Sequence, residues 1–179
     1  MTSAKDVLGE IIKLGMTIIF AAISMWLSIL LPSGTLAQLL HVTTIPCLGL
    51  GLLAGPLYVL WISLAYRICG PWHGVITSIF TSSLMLLSGP WYGVTDPSWF
   101  GLYGLISFIM LGLLTERVNG GLASMICLII NWLGLGIHTG IWPKPLHITC
   151  LVLVITFFSG LVFDKLASII AGKTTSVRR

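Results

Sequence analysis

Between Lys13 and Arg67 the chain contains no Asp, Glu, Lys or Arg, and the same holds from Arg67 to Asp96. A soluble fold cannot cover stretches of that length without surface charge. Only 8% of the residues are charged, against roughly 25% in an ordinary soluble domain, and the mean hydropathy is +1.05. The sequence therefore predicts an integral membrane protein. Inside lipid every backbone polar group must be satisfied internally, which leaves helices or a closed barrel. The apolar runs are continuous rather than alternating, so helices are expected.

A spanning helix needs about 20 apolar residues, which gives this chain room for about six and for no separate soluble domain. The spans are read as 11–30, 42–68, 74–87, 99–114, 122–138 and 148–171. The polar start, with Lys5, Asp6, Glu10 and Lys13, followed by an apolar run has the outline of a signal peptide. No small-residue cleavage site follows, so the segment is read as a span. The run 42–68 is long and contains Pro46 and Gly55-Pro56, which is consistent with one kinked helix or two short ones. Basic residues favour a single crossing. Six spans place Lys5, Lys13, Arg67, Arg117, Lys165, Lys173, Arg178 and Arg179 on one side and Lys144 on the other. By the positive-inside rule both termini are then cytoplasmic. The formal charge of +4 is thus a statement about topology. An echo between LLAGPLY (52–58) and LLSGPWY (86–92) falls at unlike positions relative to the spans and is explained as well by small-residue punctuation as by duplication.

This arrangement exposes three outer connections: 31–41, SGPWYGVTDPSW and HTGIWPKPLH. Asp96 is the one acid on that face; it either caps the helix starting near Ser98 or offers a counter-charge to a cationic or amine-bearing ligand, and the roles are compatible. Trp91, Tyr92, Trp99, Tyr103, Trp132 and Trp142 lie near outer span ends. Each fits an interfacial belt, and together they can wall a cavity for a flat heteroaromatic ligand. Asn131 is a buried amide that bonds a neighbouring helix or a ligand. His138 and His147 bracket the third connection with Lys144 between them, a weak metal pattern without a Cys or carboxylate beside it. Glu116 and Asp164, next to Arg117 and Lys165, read as solvated pairs. The cysteines, Cys47, Cys69, Cys127 and Cys150, lack paired spacing and read as small hydrophobes. No nucleophile, metalloprotease or nucleotide-binding motif is present, so no enzyme and no cofactor is expected, and ATP-driven work would need another subunit. Thr17, Ala21, Ser24 and Ser28 form one small-residue stripe on the first span, suited to internal packing or to a membrane partner.

Ile45-Pro46, LLAGPLY, LYVLWISLAYRICGP, GVITSIFTSSLMLLSGPWYG and LYGLISFIMLGLLTE together resemble the substrate-binding S component of energy-coupling factor (ECF) vitamin transporters, most closely the thiamine or hydroxymethylpyrimidine type. The resemblance covers most of Leu52 to Glu116. It implies a six-helix bundle in a prokaryotic cell membrane, binding a vitamin from outside. It further implies a transmembrane coupling subunit and two cytoplasmic ATPases as partners, substrate delivery by toppling in the membrane, and no contact with nucleic acid. The family's docking motif, Ala-x-x-x-Ala, is replaced here by Thr17-x-x-x-Ala21 and Ser24-x-x-x-Ser28. Asp96 suits an aminopyrimidine or a cation, whereas Lys144 and the histidines suit a carboxylate such as biotin or niacin. A ligand-free structural or assembly protein is the alternative from another class; a secondary transporter or channel is disfavoured by the shortage of intramembrane charge.

Overall fold

The computed structural model describes residues 4–30, 53–88 and 98–177, and every regular element among them is a helix. We number them α1 (Ala4–Leu30), α2 (Gly55–Cys69), α3 (His73–Ser88), α4 (Ser98–Arg117), α5 (Gly120–Thr139) and α6 (Leu146–Val177). Each falls on one of the six expected apolar runs. α1 begins earlier than expected because its polar start is itself helical, with Asp6 in the first turn and Lys13 paired to Glu10 at 2.7 Å. Of the run 42–68, residues 42–52 lie outside the described part. From 53 onward it is a single helix, passing Gly55-Pro56 through a π turn, Gly55–Val59, in which the Leu60 N–H reaches the Gly55 carbonyl. Pro56 sits in that first turn, where its missing N–H removes no interior bond.

Three helices, over Asp6–Leu30, Gly120–Thr139 and Leu146–Lys173, are long and apolar enough to cross a membrane, and α2 and α3 are shorter apolar helices. Their burial differs: 61% of the α5 span is buried inside the protein, but 17% of α1 and 22% of α6. Leu8, Ile11, Trp26, Phe158, Val162 and Ile169 are exposed on those two outer helices. Apolar surface of that kind suits contact with lipid.

α2 is the hub, touching all five other helices, while α1, α3, α4, α5 and α6 follow one another around it. A helix in that position has no polar face, and consecutive residues of α2 are buried: Leu57, Tyr58 and Val59, then Ile62, Ser63, Leu64 and Ala65. Its Tyr58 ring meets the edge of Phe108 at 5.0 Å between centroids. Successive helices run antiparallel, so α1, α3 and α5 start at one end, where Arg67 and Arg117 also lie; we call this the basic end.

The small-residue stripe of α1 is turned inward. Thr17, Ala21 and Ser24 are buried, the Ser24 hydroxyl donates to the Leu57 carbonyl at 2.5 Å, and Phe20 stacks at a tilt against Trp61. Ser28, half-buried, donates to the Met25 carbonyl. Of the two uses expected for the stripe, internal packing is the one seen for Thr17, Ala21 and Ser24, and the surface α1 leaves outside includes Leu8, Ile11, Ile12 and Ile19.

Candidate functional site

At the end opposite the basic one, two of the expected aromatic and imidazole groups meet. Tyr103 of α4 and His138 of α5 are linked by a hydrogen bond of 3.1 Å between the phenol oxygen and Nε2, with their rings edge to face at 5.3 Å. Glycines make the approach possible. A Cβ on Gly134 would lie 2.7 Å from Cγ of Tyr103, and one on Gly136 would lie 2.6 Å from the ring of Trp142. Gly140, in the left-handed region at φ 71°, ends α5 and turns the chain so that Trp142 comes back over Gly136. Gly134 and His138, one turn apart, share the face of α5 that meets Tyr103, whereas Gly136, two residues on from Gly134, takes Trp142 on another side of the helix. His138 and Trp142 are exposed and Tyr103 is half-buried.

Other expected site residues are placed differently. Asn131 is buried, and its amide donates to the Ser107 hydroxyl at 2.9 Å and to the Cys127 carbonyl at 2.8 Å, so it ties α5 to α4. Trp132 belongs to the hydrophobic core, at 5% exposure. Lys144 and His147 are exposed and make no hydrogen bond or ion pair among the described residues. Trp99 stands in the first turn of α4. Trp91, Tyr92 and Asp96 lie outside the described residues, and with them the question of whether Asp96 caps α4. Among the described residues no three of His, Cys, Asp and Glu gather to hold a metal ion.

The basic end holds a polar construction that the sequence reading misses. Glu116 and Asp164 are not solvated partners of Arg117 and Lys165. Glu116 Oε1 accepts from the backbone N–H groups of Gly74 (2.8 Å) and Val75 (3.1 Å), and Oε2 from that of Trp72 (3.0 Å), capping α3 from across the interface. Arg117 instead lies over the Trp72 ring, 5.4 Å from its centroid. Asp164, buried, accepts at Oδ1 from the Ser63 hydroxyl (2.5 Å) and Arg67 Nη2 (3.0 Å), and at Oδ2 from the Gly120 N–H (3.1 Å). One carboxylate thereby joins α2, α5 and α6. A signal for both was available. A carboxylate near a helix C-terminus opposes its own helix dipole, which is relieved when it serves a neighbour's N-terminus, and an acid within an apolar span calls for an internal partner.

Replacing Glu116 by alanine should strip α3 of three acceptor contacts and cost about 0.5–2 kcal/mol, the range for losing an N-terminal cap. Gln at the same position should restore part of that. Thermal unfolding of the two variants, with helicity followed by circular dichroism, checks this. An alanine variant as stable as the parent would show the capping bonds to be idle.

The chain matches no protein-family model, no curated protein and no solved structure.

Proposed function

We propose that this protein is a multi-pass membrane protein of the prokaryotic cell membrane that binds a small vitamin or precursor at the end opposite its basic residues. It acts without catalysis, as the substrate-binding subunit of an ECF-type uptake transporter. The observation that carries the proposal is the Tyr103–His138 pair, with the exposed Trp142 at the same end of α5. The connection between α5 and α6, which carries Trp142, lies at this end. The combination of stacking surface and a phenol–imidazole hydrogen bond suits a planar nitrogen heterocycle, and thiamine or its hydroxymethylpyrimidine part is the first choice. All six helices are taken as spans with both termini cytoplasmic, following the basic residues. Transport then depends on a transmembrane coupling subunit and two ATPases.

A ligand-free structural or assembly protein is the second reading. What favours it is the inward turn of the α1 stripe, which uses for packing the residues that a docking helix would need.

A thermal-shift panel on the full-length protein in detergent separates them, with thiamine, hydroxymethylpyrimidine, biotin, riboflavin, niacin, folate and cobalamin as probes. One compound is expected to stabilise the protein, by about 2.7 kcal/mol at a hundredfold excess over Kd. Tyr103→Ala and His138→Ala should each weaken that compound about tenfold, the loss of one hydrogen bond and its ring contact, and Trp91→Ala and Asp96→Ala should weaken it too. Stabilisation by none of the seven would leave the assembly reading standing. Binding unaffected by all four substitutions would move the site elsewhere.

A further inference from the structure

A second site lies at the basic end, on the flank of the bundle. Tyr66, Arg67 and Pro71 at the end of α2 and Ser168, Ala171 and Gly172 on α6 line a groove of about 390 Å³. Arg67 is fixed there by its own network. Its Nε donates to the Ser63 hydroxyl at 3.1 Å and its Nη2 to Asp164 at 3.0 Å, while Nη1 makes no bond among the described residues and the side chain is 32% exposed. The guanidinium is thus held by its inner edge, with its remaining donors available to the groove. The hydroxyls of Tyr66 and Ser168 also have no hydrogen-bond partner among the described residues. Gly172 and Ala171 keep one wall low, and a Cβ on Gly172 would meet nothing within 4 Å.

An oriented guanidinium with two hydroxyls beside it fits the oxygens of a phosphate. Charge decides whether an anion is tolerated. Asp164 and Arg67 cancel, and the carbonyls ending α2 disfavour a negative group. Lys165, one turn from Ser168 on the same face of α6, supplies the positive excess, and Lys173 stands next to Gly172; both are exposed. Ile169, 59% exposed, lies between them. Among the described residues α1 and α6 share no substantial contact, and α6 leaves Val162, Leu166 and Ile169 exposed within two turns of Ser168. Phosphate donors and lysines at the end of an exposed apolar flank are the arrangement in which basic grooves between helices take lipid headgroups. The geometry points to a site for the phosphate of an anionic phospholipid, its headgroup between the ends of α2 and α6 and its chains along α6.

The full-length protein in detergent is loaded with phosphatidylglycerol or with phosphatidylcholine of the same acyl chains, and retained lipid is counted by native mass spectrometry. Phosphatidylglycerol should be retained preferentially, and Lys165→Gln should reduce the preference roughly fivefold, the effect of one basic residue at a charged headgroup. Arg67 is a poor test because its loss strands Asp164. Gly172→Leu fills the groove and raises helix propensity, so it should abolish the preference at unchanged helicity. Equal retention of the two lipids would overturn the proposal, as would a preference that survives Gly172→Leu. Displacement of the lipid by inorganic phosphate alone would also overturn it, in favour of a free-phosphate site. Vitamin binding at the opposite end is unaffected by any of these results.

Discussion

Asp164→Ala is expected to destabilise the bundle by about 3–5 kcal/mol, the cost of removing one partner of a buried ion pair. The carboxylate accepts from three donors that belong to two other helices: the Ser63 hydroxyl and Arg67 guanidinium of α2, and the N–H of Gly120, the first residue of α5. Alanine strands all three at once. The guanidinium contributes most, since a charge without its counter-ion costs far more than a neutral donor. Because Arg67 is 32% exposed, water at the basic end screens part of that, and the loss should lie toward the lower figure. A second variant separates charge from packing. Asp164→Leu combined with Arg67→Met replaces the pair by apolar volume, leaving Ser63 free to bond within its own helix, and should recover most of the lost stability. Reversible unfolding in a denaturing detergent, read by circular dichroism, measures both. A single variant within about 0.5 kcal/mol of the parent would mean the network does not hold the three helices together. A double variant no better than the single one would place the cost in packing.

The contrast between the two ends explains what was legible in the amino-acid order. Helix positions followed from the apolar runs, with Arg67 and Glu116-Arg117 standing at the ends of two of them. A pattern of that kind says where a helix is but not which way it faces. The stripe Thr17, Ala21 and Ser24 is the case in point: its spacing guarantees a close helix–helix contact, and only the fold shows that the other helix is α2 of the same chain. Asn131 is similar, since an amide within an apolar helix must find a partner, here Ser107 and Cys127. Tyr103, His138 and Trp142 were legible as rings near one end. The close approach of Tyr103 to α5 depends on Gly134 and that of Trp142 on Gly136, and the thinness of a glycine leaves no hydropathy signature. The bonds of Asp164 were hidden because its partners are far away in sequence, with separations of 101 from Ser63, 97 from Arg67 and 44 from Gly120.

Gly160→Leu is expected to abolish the native pairing of α5 with α6. A Cβ at Gly160 would collide with the carbonyl group of Gly120 and the hydroxyl of Ser124, and one at Gly120 would meet the Gly160 carbonyl at 2.8 Å and Asp164 Cβ at 2.9 Å. These obstacles are largely backbone, so no rotamer change relieves them and α6 itself must move. Gly121 faces the Phe157 carbonyl one turn away, and the Ser124 hydroxyl donates to the Thr156 carbonyl at 3.0 Å, so a displaced α6 forfeits that bond as well. Small residues that let helix backbones touch are the main source of helix association where lipid replaces water, because burial of apolar surface then contributes little. Gly160→Ala should already cost about 1–3 kcal/mol, the range for an overpacked interior, and Leu should leave no folded monomer to recover. Gly15→Ala is the matched control: it lies on the exposed face of α1 with nothing within 4 Å of its Cβ, and should be neutral or stabilising by up to about 1 kcal/mol through helix propensity. Because Gly160 stands one turn from Asp164, Gly160→Ala and Asp164→Ala should combine less than additively, as both release the same contact between α6 and the start of α5. Strict additivity in that double-mutant cycle would show the glycine contact and the carboxylate network to be independent supports of the bundle.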